Sequence, residues 1–193
     1  MSTVLIIANI LSFIGNTLFT LSTLLKSKRK ILLFQSLNHM ISGISEYMME
    51  AYTGIVQEAA SLLRNTIFLF VKDDALKIKL IITIIITIMA TIVGIIFNIL
   101  FSNGVWYGYL PIIGSFIYSL GVILAFVLPV GTIKAEIILK IFLMVNAVAW
   151  GLYGIIVELY PIFIFNSLNI LLCTIAIIRA LIILKKELKN TIR

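Results

Sequence analysis

The chain has 193 residues, 62% of them apolar and only 12% charged, against roughly 45–50% and about 25% in soluble globular proteins. That balance leaves no room for a soluble enzyme domain and makes lipid the main solvent. The net charge of +7 does not point to nucleic acid, because Lys and Arg punctuate apolar runs instead of forming a patch interleaved with exposed aromatics.

In chain order, seven apolar runs emerge, at residues 4–25, 31–49, 52–71, 80–101, 109–128, 137–157 and 160–184. A spanning helix takes about 20 apolar residues, so seven spans fit only if the connections are short. The first run lacks a basic leading region, continues past Leu25 and ends in the cluster Lys26, Lys28, Arg29, Lys30 without a small-residue cleavage site, so it reads as a retained span and not a signal peptide.

The third connection holds Lys72, Lys77 and Lys79, the fifth Lys134, and the tail Lys185, Lys186, Lys189 and Arg193. Lys140 and Arg179 fall near the same ends of helices six and seven, and Arg64 is left within a span. The connections at residues 50–52, 102–109 and 158–160 carry no Lys or Arg. By the positive-inside rule they lie outside with the N-terminus, and the tail is cytoplasmic. Tyr52, Trp106, Tyr107, Tyr109 and Tyr160 sit in or beside those outer connections, as interfacial aromatics do. With one cysteine, Cys173, and one histidine, His39, no disulfide framework, metal set or other cofactor is expected.

Shifted by 108 residues, helices two and three align with helices six and seven: Asn38 meets Asn146, Gly43 meets Gly151, Glu50 meets Glu158 and Tyr52 meets Tyr160. Helix one aligns with helix five at a different shift, Ser12-Phe13-Ile14 on Ser115-Phe116-Ile117. The chain therefore reads as three helices, a linker and three helices. Three spans is an odd number, so the two halves come out parallel only if the fourth helix crosses between them. Its Thr83, Thr87, Thr91, Gly94 and Asn98 suit packing against a neighbour.

Polar groups at membrane depth cost free energy and so map an interior. Helix two carries Gln35, Asn38, Ser42, Ser45 and Glu46 on one face; helix six answers with Asn146, Trp150, Tyr153 and Gly154. Helix three has Glu58, Ser61 and Asn65 at i, i+3 and i+7, and the repeat puts Asn166, Asn169 and Cys173 of helix seven at the same spacing. Helix one adds Asn9, Ser12, Asn16 and Thr20. The candidate binding residues are Glu58, Asn166, Asn38, Asn146, Trp150, Ser61, Asn169 and Asn65, lining a site for a small polar solute. Interhelical hydrogen bonding is the alternative use of any one of them. Gln35 and Thr20 read as packing or gate residues, His39 as packing with a proton relay the alternative, and Arg64 as snorkelling to the cytoplasmic side or meeting another helix. Trp150 and Tyr153 could stack on a ring-shaped solute or simply pack.

The stretch from Asn146 to Asn166, NAVAWGLYGIIVELYPIFIFN, is similar to the second and third helices of SWEET and SemiSWEET sugar transporter repeats. With Phe34 to His39, Ala51-Tyr52-Thr53 and Leu63-Arg64-Asn65, the chain resembles the bacterial YgjV-type inner-membrane proteins of the same superfamily. The resemblance implies a pocket near the bilayer midplane, with Asn166 at the transporters' substrate-binding Asn, Trp150 near the aromatic wall and Glu58 replacing the matching Asn of the first half. The hinge proline of those transporters is absent from the first half, leaving Gly15, Gly43, Gly54, Gly114, Gly121 and Gly151 to accommodate any rocking.

The expected protein is thus an all-α membrane protein of seven spans, two parallel three-helix bundles (residues 1–71 and 108–193) joined by a linker helix (72–107). It is not an enzyme; it sits in the bacterial inner membrane as an alternating-access carrier of a small polar solute, either facilitative or proton-linked through Glu58. The competing reading is a non-transporting sensor or assembly scaffold. Parallel bundles of this kind can also form homo-oligomers.

Overall fold

The computed structural model describes residues 2–22, 25, 28–72, 75–127 and 133–191. Among the described residues the structure is all-helical: α1 (Thr3–Ser22), α2 (Lys28–Met48), α3 (Tyr52–Phe70), α4 (Leu76–Phe101), α5 (Tyr109–Val127), α6 (Ile133–Ile156) and α7 (Tyr160–Thr191), with a 3-10 turn, Trp106–Gly108, leading into α5. Lys26 and Arg193, which figure in the charge pattern, and Pro129, one of the chain's three prolines, lie outside the described residues.

Several helices overrun the apolar runs at their charged ends. α2 begins at Lys28, α4 takes in Lys77 and Lys79, and α7 continues to Thr191. Helical hydrogen bonding does not stop where hydrophobicity stops, and Lys, Glu and Leu are all good helix formers. Pro111 and Pro161 fall in the first turns of α5 and α7, where a backbone N–H would have no intrahelical partner to lose.

Five helices, namely α1, α4, α5 with its leading turn, α6 and α7, are long and apolar enough to cross a membrane. α2 and α3 have 21 and 19 residues but carry more polar and charged side chains, and these turn inward: Asn38, Ser42, Ser45, Glu46, Gln57 and Asn65 are all buried. The exterior is apolar, with Ile81, Ile85, Ile88, Ile92, Ile96 and Ile99 of α4 exposed along one side, a surface suited to hydrocarbon.

Each helix packs on the next, α1 closes on α7, and α3 touches α5 directly. Six helices therefore form a ring in the order α1, α2, α3, α5, α6, α7, and α4 wedges against the junction of α3 and α5. Asn9 of α1 fastens the ring by clamping the turn between α6 and α7: its Nδ2 donates to Glu158 O at 2.9 Å and its Oδ1 accepts from Tyr160 N at 3.0 Å.

The same local geometry recurs 108 residues apart. Ala51 N–H donates to Glu46 O at 2.9 Å and Glu50 N–H to Tyr47 O at 3.1 Å; correspondingly, Leu159 N–H donates to Gly154 O at 2.8 Å and Glu158 N–H to Ile155 O at 3.2 Å. These are paired Schellman ends, with Glu50 and Glu158 at φ 56° and 60° where glycine is usual. In the first half a bare Gly54 makes room for the Glu46 side chain; in the second a bare Gly154 makes room for Ile162. Position 154 corresponds to 46 and 162 to 54, so the contact is kept while the bulky partner changes sides.

Candidate functional site

Inside the ring is a cavity of about 170 Å³. Six pairs of its lining residues correspond across the two halves: Gln35 with Leu143, Asn38 with Asn146, Ser42 with Trp150, Glu58 with Asn166 and Ser61 with Asn169, together with Asn16 and Ser119, which correspond at the shift that aligns α1 with α5. The close approach that brings each α2–α3 and α6–α7 pair together is matched too. A Cβ built on Gly43 would sit 3.7 Å from Glu58 Cβ, and one on Gly151 would sit 3.7 Å from Asn166 Cβ.

Of the eight candidate residues, Glu58, Asn166, Asn38, Asn146, Trp150, Ser61 and Asn169 all line this cavity. Asn65 does not. It is on the helical face of Glu58 but one turn past Ser61, where packing closes over it, and its buried Nδ2 has no hydrogen-bond partner. Helical spacing places a side chain around the axis; the depth at which neighbouring helices part is a tertiary matter. Of the α1 stripe only Asn16 reaches the cavity. Ser12 is buried beneath it, accepting from Asn16, and Asn9 holds the α6–α7 turn. Tyr153 stands behind Trp150, edge to face at 5.9 Å, and is itself buried, so of these two only Trp150 faces a solute, together with Phe19, Phe116 and Tyr118 of the lining.

Three further side chains belong to this wall. His39 is not mere packing material: its Nδ1 lies 2.5 Å from Glu58 Oε2, with both side chains about one-seventh exposed (14% and 13%) on the cavity wall. Arg64 lines the cavity and, of its two expected uses, takes the one that meets another helix, near Tyr118 of α5. Gln57, unremarked among its apolar neighbours, lines the cavity and donates to Ala90 O of α4 at 3.0 Å. α4 is more than a linker here, since Ile86, Thr87, Ala90 and Thr91 supply part of the wall.

The hydrogen bonds already made decide what the lining can offer. Thr87 and Thr91 bond back to Thr83 O and Thr87 O at 2.7 and 2.8 Å, and Ser119 to Ser115 O at 2.8 Å, so their donors are spent within their own helices. Asn166 Nδ2 donates one hydrogen to Ile162 O at 2.8 Å, which leaves its second hydrogen and its carbonyl oxygen. Asn146 and Asn169 make no side-chain hydrogen bond among the described residues. Their amides, with an indole face and the His39–Glu58 pair, form a wall that can donate to and accept from a polar solute. No group of three His, Cys, Asp or Glu side chains among the described residues is placed to hold a metal ion.

Glu46, on the stripe of α2, is fully buried outside the cavity. Among the described residues neither carboxyl oxygen has a hydrogen-bond partner, and a Cβ on Gly54 would collide with it.

A search of curated proteins finds no match to the chain, and a search of solved structures finds none either. A family model, Imp-YgjV, described as bacterial inner membrane protein, matches residues 6–182, and the chain belongs to that family.

Proposed function

We propose that the protein carries a small polar solute across the bacterial inner membrane by alternating access, with the cavity as its binding site. The family and the five apolar helices make it a multi-pass inner-membrane protein. The proposal goes further: all seven helices cross, N-terminus outside and tail cytoplasmic, as two SWEET-like three-helix bundles, residues 1–71 and 108–193, joined by the linker 72–107. The repeated turns, the exchanged Gly54 and Gly154 contacts and the ring order support that reading.

The observation that carries the function is the cavity, walled by polar side chains from corresponding positions of both halves. A scaffold or sensor gains stability by filling such a space, since protein interiors are close-packed and voids cost free energy; a carrier must keep it. At about 170 Å³ it is comparable to the ~150 Å³ engineered cavity that takes one benzene, so the solute is about the size of a single six-membered ring. The His39–Glu58 pair supplies a proton-exchanging group on the wall, the basis for coupling to a pH gradient.

The test is flux into proteoliposomes with labelled sugars, sugar acids, nucleosides and amino acids. Saturable uptake is expected, reduced at least about tenfold by Glu58→Ala and accelerated by an imposed pH gradient. No uptake of any solute, with Glu58→Ala indistinguishable from the parent protein, would sink the carrier reading; uptake blind to the gradient would remove only the proton linkage.

A further inference from the structure

We infer that the solute is an oxyanion, a small polar molecule carrying one carboxylate or phosphate group whose charge Arg64 neutralises. For its transport half the inference rests on the carrier reading; its claim about binding stands apart.

His39, Glu58 and Arg64 all belong to the first half, while the corresponding positions hold Ala147, Asn166 and Leu172, the last turned outward at 58% exposure. Proton coupling gives His39 and Glu58 a use whatever the solute, but it gives Arg64 none.

The charges do not all find partners within the protein. Glu58 is engaged by His39 at 2.5 Å, so its demand for a partner is met within the protein. Arg64 lines the same cavity half-buried, and among the described residues no carboxylate pairs with it; the ionisable side chain close enough to interact is Tyr118, a phenol. Glu and His can shed a charge by exchanging a proton, whereas a guanidinium stays charged at any working pH. A charge taken out of water needs a partner of opposite sign. The six residues between Glu58 and Arg64 amount to a rise of about 9 Å along α3, which leaves Arg64 beyond easy reach of the engaged carboxyl.

What Arg64 lacks among the described residues is an anionic partner. The planar guanidinium presents paired N–H donors that match the two oxygens of a carboxylate or phosphate. The uncharged remainder of such a solute then meets Asn146, Asn166 and Asn169 and the face of Trp150 in the same chamber.

The intact protein, purified in detergent, should be titrated with glucose, gluconate, glucose phosphate and glucosamine, reading calorimetric binding and thermal stabilisation. Gluconate or glucose phosphate is expected to bind at least about tenfold more tightly than glucose or glucosamine, and the comparison of the two acids tells carboxylate from phosphate. Arg64→Gln should lower that preference about tenfold or more, with Arg64→Lys, a point charge without the fork, falling between. Should Arg64→Gln not fold, the parent protein and Arg64→Lys decide the matter by their preference ratios alone. Equal binding of glucose and gluconate, a preference untouched in the Arg64 variants, no binding of any of the four, or chloride matching the organic acids would each overturn the inference. Acid binding without flux in proteoliposomes would overturn the carrier reading and keep this one; glucose flux without acid preference would do the reverse.

Discussion

His39 stands off the polar stripe of its own helix, and spacing along α2 alone assigns it to packing. Glu58, at membrane depth in a chain with few cations there, does advertise a need for a partner. Arg64 is the apparent candidate on the same helix, although six residues place it about 120° around the axis. The structure resolves the need from across the helix pair, with Nδ1 of His39 on the Glu58 carboxyl. A hydrogen bond to a charged group contributes about 1.5–3 kcal/mol. His39→Ala is therefore expected to lower the thermal midpoint in detergent by a corresponding amount, with His39→Gln, which can still donate, recovering part. Equal midpoints for His39→Ala and the parent would show that the contact contributes nothing. Glu46 shows the converse limit: its place on the stripe of α2 is visible in the sequence, but nothing in the spacing says that its carboxyl is enclosed without a partner against Gly54.

Among the elements, the glycines divide by how closely the helices approach. They are candidates for hinge flexibility in a chain lacking first-half prolines, yet the structure uses several as contact points. A Cβ at Gly15 would meet Ser42 Oγ at 2.8 Å, one at Gly121 would collide with Phe142, and one at Gly154 would meet Ile162 Cβ at 2.8 Å. Gly151 differs, since its nearest neighbour, Asn166 Cβ, would be at 3.7 Å, ordinary van der Waals contact. Gly154→Ala is thus expected to destabilise by about 1–3 kcal/mol through overpacking, whereas Gly151→Ala should be neutral or slightly stabilising, because alanine is the better helix former by about 1 kcal/mol. Thermal midpoints of the two variants in the same detergent check this, and a loss at Gly151 equal to that at Gly154 would contradict it. The recurrence of this contact with its partners exchanged was not legible from residue matching, because Glu46 and Gly154 share no chemistry. Only the pairing of 46 with 54 and of 154 with 162 makes them equivalent.

At the scale of the molecule, orientation follows from charge and is open to direct measurement. On a Cys173→Ala background, a cysteine placed at the exposed Asn103 should react with an impermeant maleimide from outside intact cells, and one at the exposed Lys77 only after permeabilisation. The opposite pattern, or labelling of both from one side, would overturn the proposed seven-crossing topology. The number of helices, their order and the inward bias of the polar residues were written into the sequence, because apolar length and the 3.6-residue period are properties of a single helix. So was the 108-residue correspondence of Asn38 with Asn146 and of Glu50 with Glu158. The tertiary structure alone decided which polar groups share the cavity, leaving Asn65 and most of the α1 stripe outside and bringing Gln57 and α4 in. It also joined His39 to Glu58 and left Arg64 facing the cavity without a carboxylate partner among the described residues. The reason is geometric: periodicity determines the angle at which a side chain leaves its helix, whereas its depth along the bundle and the group it meets depend on how seven helices pack around one space.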